Sequence, residues 1–190
     1  PNSSSAVHIC SGCSDSATVQ LNVCAVAARD DNNIRLCQLS SLTIPVTNND
    51  SSSCGTLSCG TLMVVTPPLH GTAVVQGCSI VYTHTDANHS GPESFTYKIA
   101  DSVGCMDTAT VNLEVCLTVA QDDSAEVCSG QSVTIPVRAN DATTCGALNC
   151  ESITITQQPA HGTVTRRGCN VVYTSTDTAF SGQDCFSYSI

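Results

Sequence analysis

The chain is two copies of one unit. Residues 37–50 (CQLSSLTIPVTNND) align with 128–141 (CSGQSVTIPVRAND), and 67–86 (PPLHGTAVVQGCSIVYTHTD) with 158–177 (QPAHGTVTRRGCNVVYTSTD). The match continues from 90–99 (SGPESFTYKI) to 181–190 (SGQDCFSYSI). A repeat at a spacing of about 91 residues demands two domains of one fold, each burying its own modest core.

Each copy is a series of short alternating runs. SLTIPVT (41–47), GTAVVQ (71–76), SIVYTH (79–84), SFTYKIA (94–100) and TATVNLEV (108–115) are rich in β-branched residues and separated by Gly, Pro, Asn, Asp and Ser. No segment carries an apolar period of 3.6 over ten residues, so the pattern predicts an all-β chain with a sandwich of about seven strands per copy.

The order DD, VTIPV, AND, QPAHGTV, VVYT, FSGQDCFSY resembles the cadherin-like or Ig-like tandem repeats of large bacterial-type surface proteins, over nearly all of both copies. The resemblance implies an extracellular, modular, non-enzymatic rod. The fold expected is two tandem Ig-like/cadherin-like β-sandwiches, the second lacking its last strand. A complete sandwich occupies 25–116 and an incomplete one 117–190, preceded by an N-terminal segment, 1–24.

That segment holds a spare closing strand. GCSDSATVQLNVC (12–24) repeats GCMDTATVNLEVC (104–116), yet no copy of the preceding strands stands before it, while the second copy reaches Ile190 without such a run. Ala17, Val19, Leu21 and Val23 fall on one face of an extended strand. The unpaired edge at Phe186, Tyr188 and Ile190 would accept it from another copy of the chain. Burial of the three larger aliphatic side chains is worth about 1.5–3 kcal/mol each. A contact of this head-to-tail kind does not close, so the expected function is a structural protomer of an extracellular, glycosylated filament. The alternatives are a stretch of one longer chain and an adhesin segment whose loops bind glycan or protein.

With 14 Cys, an oxidising compartment is expected, and all but Cys10 and Cys185 fall on repeat positions. An up-and-down reading of the strands brings Cys37 to Cys116 within the chain and Cys128 to Cys24 of the next copy. It also gathers Cys54, Cys59, Cys78 and Cys105 into two pairs, and Cys145, Cys150 and Cys169 with a neighbour's Cys13 into two more. Cys10 and Cys185, both at the proposed joint, are a candidate bridge between copies, against which stands the aligned register of the strands. CSGC (10–13) lacks the helix that a redox thiol pair needs, and zinc on these cysteines is less favoured than bridges.

The net charge of −10, with 6 Lys and Arg, excludes nucleic acid and anionic lipid as partners, and no apolar run is long enough for membrane insertion. Asn2, Asn49 and Asn88 begin N-x-S sequons and are the expected glycan acceptors. Asp30, Asp31, Asp122 and Asp123 are weak calcium candidates beside Asp50 and Asp141, with turn capping as the favoured role and no cofactor expected. His70 and His161 recur in LHGT and AHGT as turn elements. No catalytic motif is present, so no enzyme is expected.

Overall fold

Residues 15–190 are described by the computed structural model, and the alternating runs are strands in it. The first repeat contains β1 (Val26–Ala27), β2 (Asp31–Cys37), β3 (Ser41–Ile44), β4 (Ser51–Ser52), β5 (Leu57–Thr66), β6 (Gly71–Gln76), β7 (Ser79–His84), β8 (Gly91–Asp101) and β9 (Met106–Cys116). A four-stranded sheet, β2-β9-β8-β5, faces a three-stranded one, β3-β7-β6, and β1 pairs with β4. Period-two alternation decides the inner faces. Phe95, Tyr97 and Ile99 of β8, Val111, Leu113 and Val115 of β9, and Ile80 and Tyr82 of β7 form one buried core.

Strand β2 runs parallel to β9, unlike its antiparallel neighbours. Its register steps three residues, from Asp31 to Ile34, against two on β9, from Val111 to Leu113. Asn33, at a φ of 62°, takes up the extra residue as a bulge. The bulge explains why DD lies 92 residues from its repeat partner while Cys37 lies 91 from Cys128. The glycine of HGT has a packing reason. A Cβ on Gly71 would clash with Thr83 O and stand 2.8 Å from the Tyr82 ring, and one on Gly162 would meet Thr174 O and the Tyr173 ring at 2.6 Å.

The second repeat contains β10 (Thr118–Val119), β11 (Ser132–Ile135), β12 (Ala142–Thr143), a 3-10 turn at Cys150–Ser152, β13 (Thr154–Gln157), β14 (Gly162–Arg167), β15 (Asn170–Ser175) and β16 (Ser187–Ser189). Sheet β11-β15-β14 reproduces the three-stranded layer of the first repeat. The four-stranded layer is reduced to β13 and β16. The counterpart of β2 does not form in this copy: residues 122–128 belong to no strand. Among the described residues the only ladder of β2 is with β9, so a sandwich without a β9 counterpart loses two strands rather than one.

The disulfides correct the expected pairing. Cys24 bonds Cys54, Cys59 bonds Cys78, Cys116 bonds Cys145 and Cys150 bonds Cys169. Cys37 is not joined to Cys116, although the two are partners in the β2–β9 ladder. Strand register is the reason. Thr118 faces Thr143 and Val119 faces Ala142, so the next positions outward along that antiparallel pair bring Cys116 opposite Cys145. Val26 faces Ser52 and Ala27 faces Ser51, which brings Cys24 opposite Cys54 in the same way. Cys24 is therefore bonded inside its own chain and is not available to a neighbour's Cys128. Neither expected four-cysteine group closes on itself. Cys105 lies against the Cys24–Cys54 bridge, 3.5 Å from Cys24 O, without entering it. Cys37, Cys105, Cys128 and Cys185 have no bridge among the described residues, and Cys10 and Cys13 lie outside them.

Candidate functional site

One sequence occurs in two environments. In β9, Val111, Leu113 and Val115 are 0%, 4% and 0% exposed; the matching Val19, Leu21 and Val23 are 78%, 84% and 89% exposed. Ala17 is exposed as well, and residues 15–24 belong to no strand. Nothing in the chemistry of SATVQLNV differs from TATVNLEV enough to account for this. The difference lies in what surrounds the run. β9 has β2 on one side and β8 on the other, and residues 16–23 have neither.

The second sandwich shows the reciprocal gap. Phe186, Tyr188 and Ile190 are only half-buried, whereas Phe95, Tyr97 and Ile99 are fully buried in β8, which has β9 beside it. Among the described residues, strand β16 has β13 on one side and no ladder on the other. Among the described residues, fourteen buried hydrophobic residues form the first core and six the second.

A tyrosine hub ties each sandwich to the chain entering it. Tyr97 Oη lies 2.9 Å from Val46 O and 3.0 and 3.1 Å from the two carboxylate oxygens of Asp50. Asp50 Oδ1 also accepts from Arg29 N at 2.8 Å, and Asn49 Nδ2 donates to Arg29 O and Asp30 O. Tyr188 repeats the hub with Val137 O, Asp141 and Asp123, and Gln121 N donates to Asp141. The separated letters DD, ND and Y are therefore one hydrogen-bonded unit. Asn49 and Asn88 are both exposed, but the Asn49 amide nitrogen, the atom that would carry a glycan, is engaged in this unit. Asn2 lies outside the described residues.

Burial, reinforced by the nearby Asp50 charge, raises Asp31 from 3.8 to about 6. Between those values the folded chain holds a proton that the unfolded chain has released. Stability contributed by this group is therefore greatest in acid and falls as pH rises from about 4 to about 6. Asp31→Asn is expected to remove that slope and to add about 1 kcal/mol at pH 7 after solvent screening, read from urea midpoints across pH. An identical slope in the variant would assign it to another group.

None of Asp30, Asp31, Asp122 and Asp123 joins a set of three potential metal ligands. Among the described residues that description fits His70, His89 and Glu93. The His70 and His89 rings stack at 3.6 Å, and His84 lies alongside, 5.8 Å from His89. In the second repeat His161 stacks on Phe180 at the same 3.6 Å. His70 and His161 do sit at turns, as read from the sequence, with Nδ1 2.9 Å from Asp86 and 3.1 Å from Asp177. His84, His89 and Glu93 were overlooked, although they break the repeat against Ser175, Phe180 and Asp184. No helix among the described residues is long and apolar enough to cross a membrane.

A family model described as a bacterial Ig domain matches the chain twice, over residues 22–114 and 117–190. No curated protein matches it.

Proposed function

The chain belongs to the bacterial Ig domain family, and from that premise we propose that it is a structural protomer of an extracellular filament, in which residues 16–23 of one copy complete the second sandwich of the next. Its tandem sandwiches and four disulfides fit a segment of a surface protein in an oxidising setting. The observation that carries the reading is the pair of mismatched environments: a ribbon whose apolar face is bare, and a sheet edge whose apolar residues are half-covered.

The register of the joint follows from the first repeat. β8 and β9 pair Phe95 with Val111, Tyr97 with Ala109 and Glu93 with Leu113. By repeat equivalence Val19 comes opposite Phe186, Ala17 opposite Tyr188 and Leu21 opposite Asp184. Residues 122–128 gain their missing parallel neighbour at the same time. The covalent frame supports this arrangement. Cys116 at the end of β9 is stapled to Cys145 of the following sandwich, and Cys24 at the end of the ribbon is stapled to Cys54 of the following sandwich. A joint between copies then repeats the joint within a copy, and no bridge between copies is required.

Leu21→Asp tests the proposal, because a carboxylate at the centre of the buried face costs several kcal/mol without touching either core. Wild-type protein at micromolar concentration is expected to form linear chains by light scattering and electron microscopy. The variant should remain monomeric with an unchanged circular dichroism spectrum. Chains of equal length from the variant would overturn strand donation. A single very large band on reducing gels of the native material would place the same joint within one longer polypeptide.

A further inference from the structure

The first sandwich carries a group of histidines that its repeat does not. We infer that His70, His89 and Glu93 form a binding site for a borderline divalent transition metal, zinc above all, separate from the strand-donation joint.

Geometry brings the ligands together from two layers. His70 immediately precedes β6, Glu93 is on β8, and His89 is in the loop between β7 and β8; one ligand atom from each lies within 4.8 Å of the other two. The loop is held in place. Gln38 Nε2 donates to Ala87 O at 2.8 Å and to His89 O at 2.9 Å, and His89 N donates to Asp86 O. Asp86 Oδ2 sits 2.9 Å from His70 Nδ1. A carboxylate there fixes the proton on Nδ1 and leaves the Nε2 lone pair for a metal, the usual way in which an outer carboxylate orients a ligating histidine.

The remaining groups point the same way. Glu93 is buried, and its Oε1 accepts from Leu69 N and Ser94 N while its Oε2 accepts from His70 N, leaving a lone pair on Oε2. His89 Nε2 and His84 Nε2 are buried without a hydrogen-bond partner, and His84 is 2% exposed. Orphaned ring nitrogens beside two potential ligands are costly unless something engages them. His84 Nδ1 accepts from Leu39 N, so its Nε2 carries the proton and serves as a donor to a water or anion in the metal's open position rather than as a ligand. A pocket of about 250 Å³ is lined by His70 and Glu93, two of the three ligands, together with Ser94 and Asn112.

Two imidazoles and one carboxylate suit Zn²⁺, Cu²⁺ or Ni²⁺, and not the hard cations Ca²⁺ and Mg²⁺. Bonds of about 2.0–2.1 Å place tetrahedral ligands about 3.4 Å apart, so the triangle draws in and the stacked rings splay on loading. The second sandwich lacks the site because Phe180 stands where His89 would.

The natural variation supplies the control. His89→Phe recreates the His161–Phe180 stack and should leave the metal-free melting temperature within a few degrees of wild type. Untagged protein with its free thiols alkylated is titrated with ZnCl₂ by calorimetry, and with Co²⁺ by visible absorption. Wild type is expected to bind one equivalent at micromolar affinity or tighter, with a cobalt spectrum of nitrogen and oxygen ligation. Melting should rise by roughly 10 °C at a hundredfold excess over Kd. His89→Phe should weaken binding at least a hundredfold. No saturable binding to wild type, or equal binding to the variant, overturns the site.

Discussion

Appending a second copy of residues 100–116, with serine at both cysteines, after Ile190 is expected to raise the melting temperature of the second sandwich by roughly 10–20 °C and to abolish chain growth. The appended ribbon carries the counterparts of Val111, Leu113 and Val115, which are fully buried where they already occur. It would enter along β16 and cover Phe186, Tyr188 and Ile190, while residues 122–128 gain the parallel neighbour that β2 has in β9. Aliphatic burial supplies about 1.5–3 kcal/mol per side chain, and most of it offsets the ordering of the ribbon. A net gain of about 2–3 kcal/mol corresponds to the stated shift for a domain of this size. Tethering makes the new strand intramolecular, so it outcompetes residues 16–23 of another molecule at any ordinary concentration. Calorimetry and light scattering on the same sample read both effects. An unchanged second transition would mean that the edge of β16 is not a docking position.

The sandwich was legible because its signals are local. SIVYTH and SFTYKIA alternate in sequence and alternate again between buried and partly exposed in β7 and β8. The repeat made the position of the closing strand legible too, since the run that ends the first sandwich at 104–116 recurs at 12–24, ahead of that sandwich, and not in the second copy. What could not be read was how far the vacancy spreads. The loss of the ladder at 122–128 depends on the parallel pairing of β2 with β9, which no alternation encodes.

The cysteines failed for a related reason. Cys37 and Cys116 are indeed neighbours, as an up-and-down reading of the strands implies, but two-residue ladders at β1–β4 and β10–β12 decide which sulfurs meet. Pairs that short leave no periodic trace in sequence. The histidine cluster is hidden at repeat positions, because there His70 has a counterpart in His161. The informative residues were those without one, His84 and His89.

The two bridges that link β-layers should differ in importance even though they close loops of equal length. Cys59–Cys78 and Cys150–Cys169 each span 19 residues, and each ties the region at or before the third main strand of its sandwich to the tip of a hairpin. Chain entropy assigns both about 3 kcal/mol. The reserves behind them are unequal. The first sandwich has fourteen buried hydrophobic residues and a closed four-stranded layer; the second has six and a two-stranded remnant. A typical domain keeps about 5–15 kcal/mol in hand, and one missing two strands sits at or below the lower end. Replacing Cys59 and Cys78 by Ala is therefore expected to lower the first transition by roughly 10–20 °C while the domain still folds. The same change at Cys150 and Cys169 should leave the isolated chain's second sandwich unfolded near room temperature, detected as loss of its amide protection from hydrogen exchange. The decisive outcome is rescue. If strand donation supplies what the second sandwich lacks, appending residues 100–116 to the Cys150/Cys169 variant restores the protection, and failure to do so would separate the instability of that domain from its missing strand.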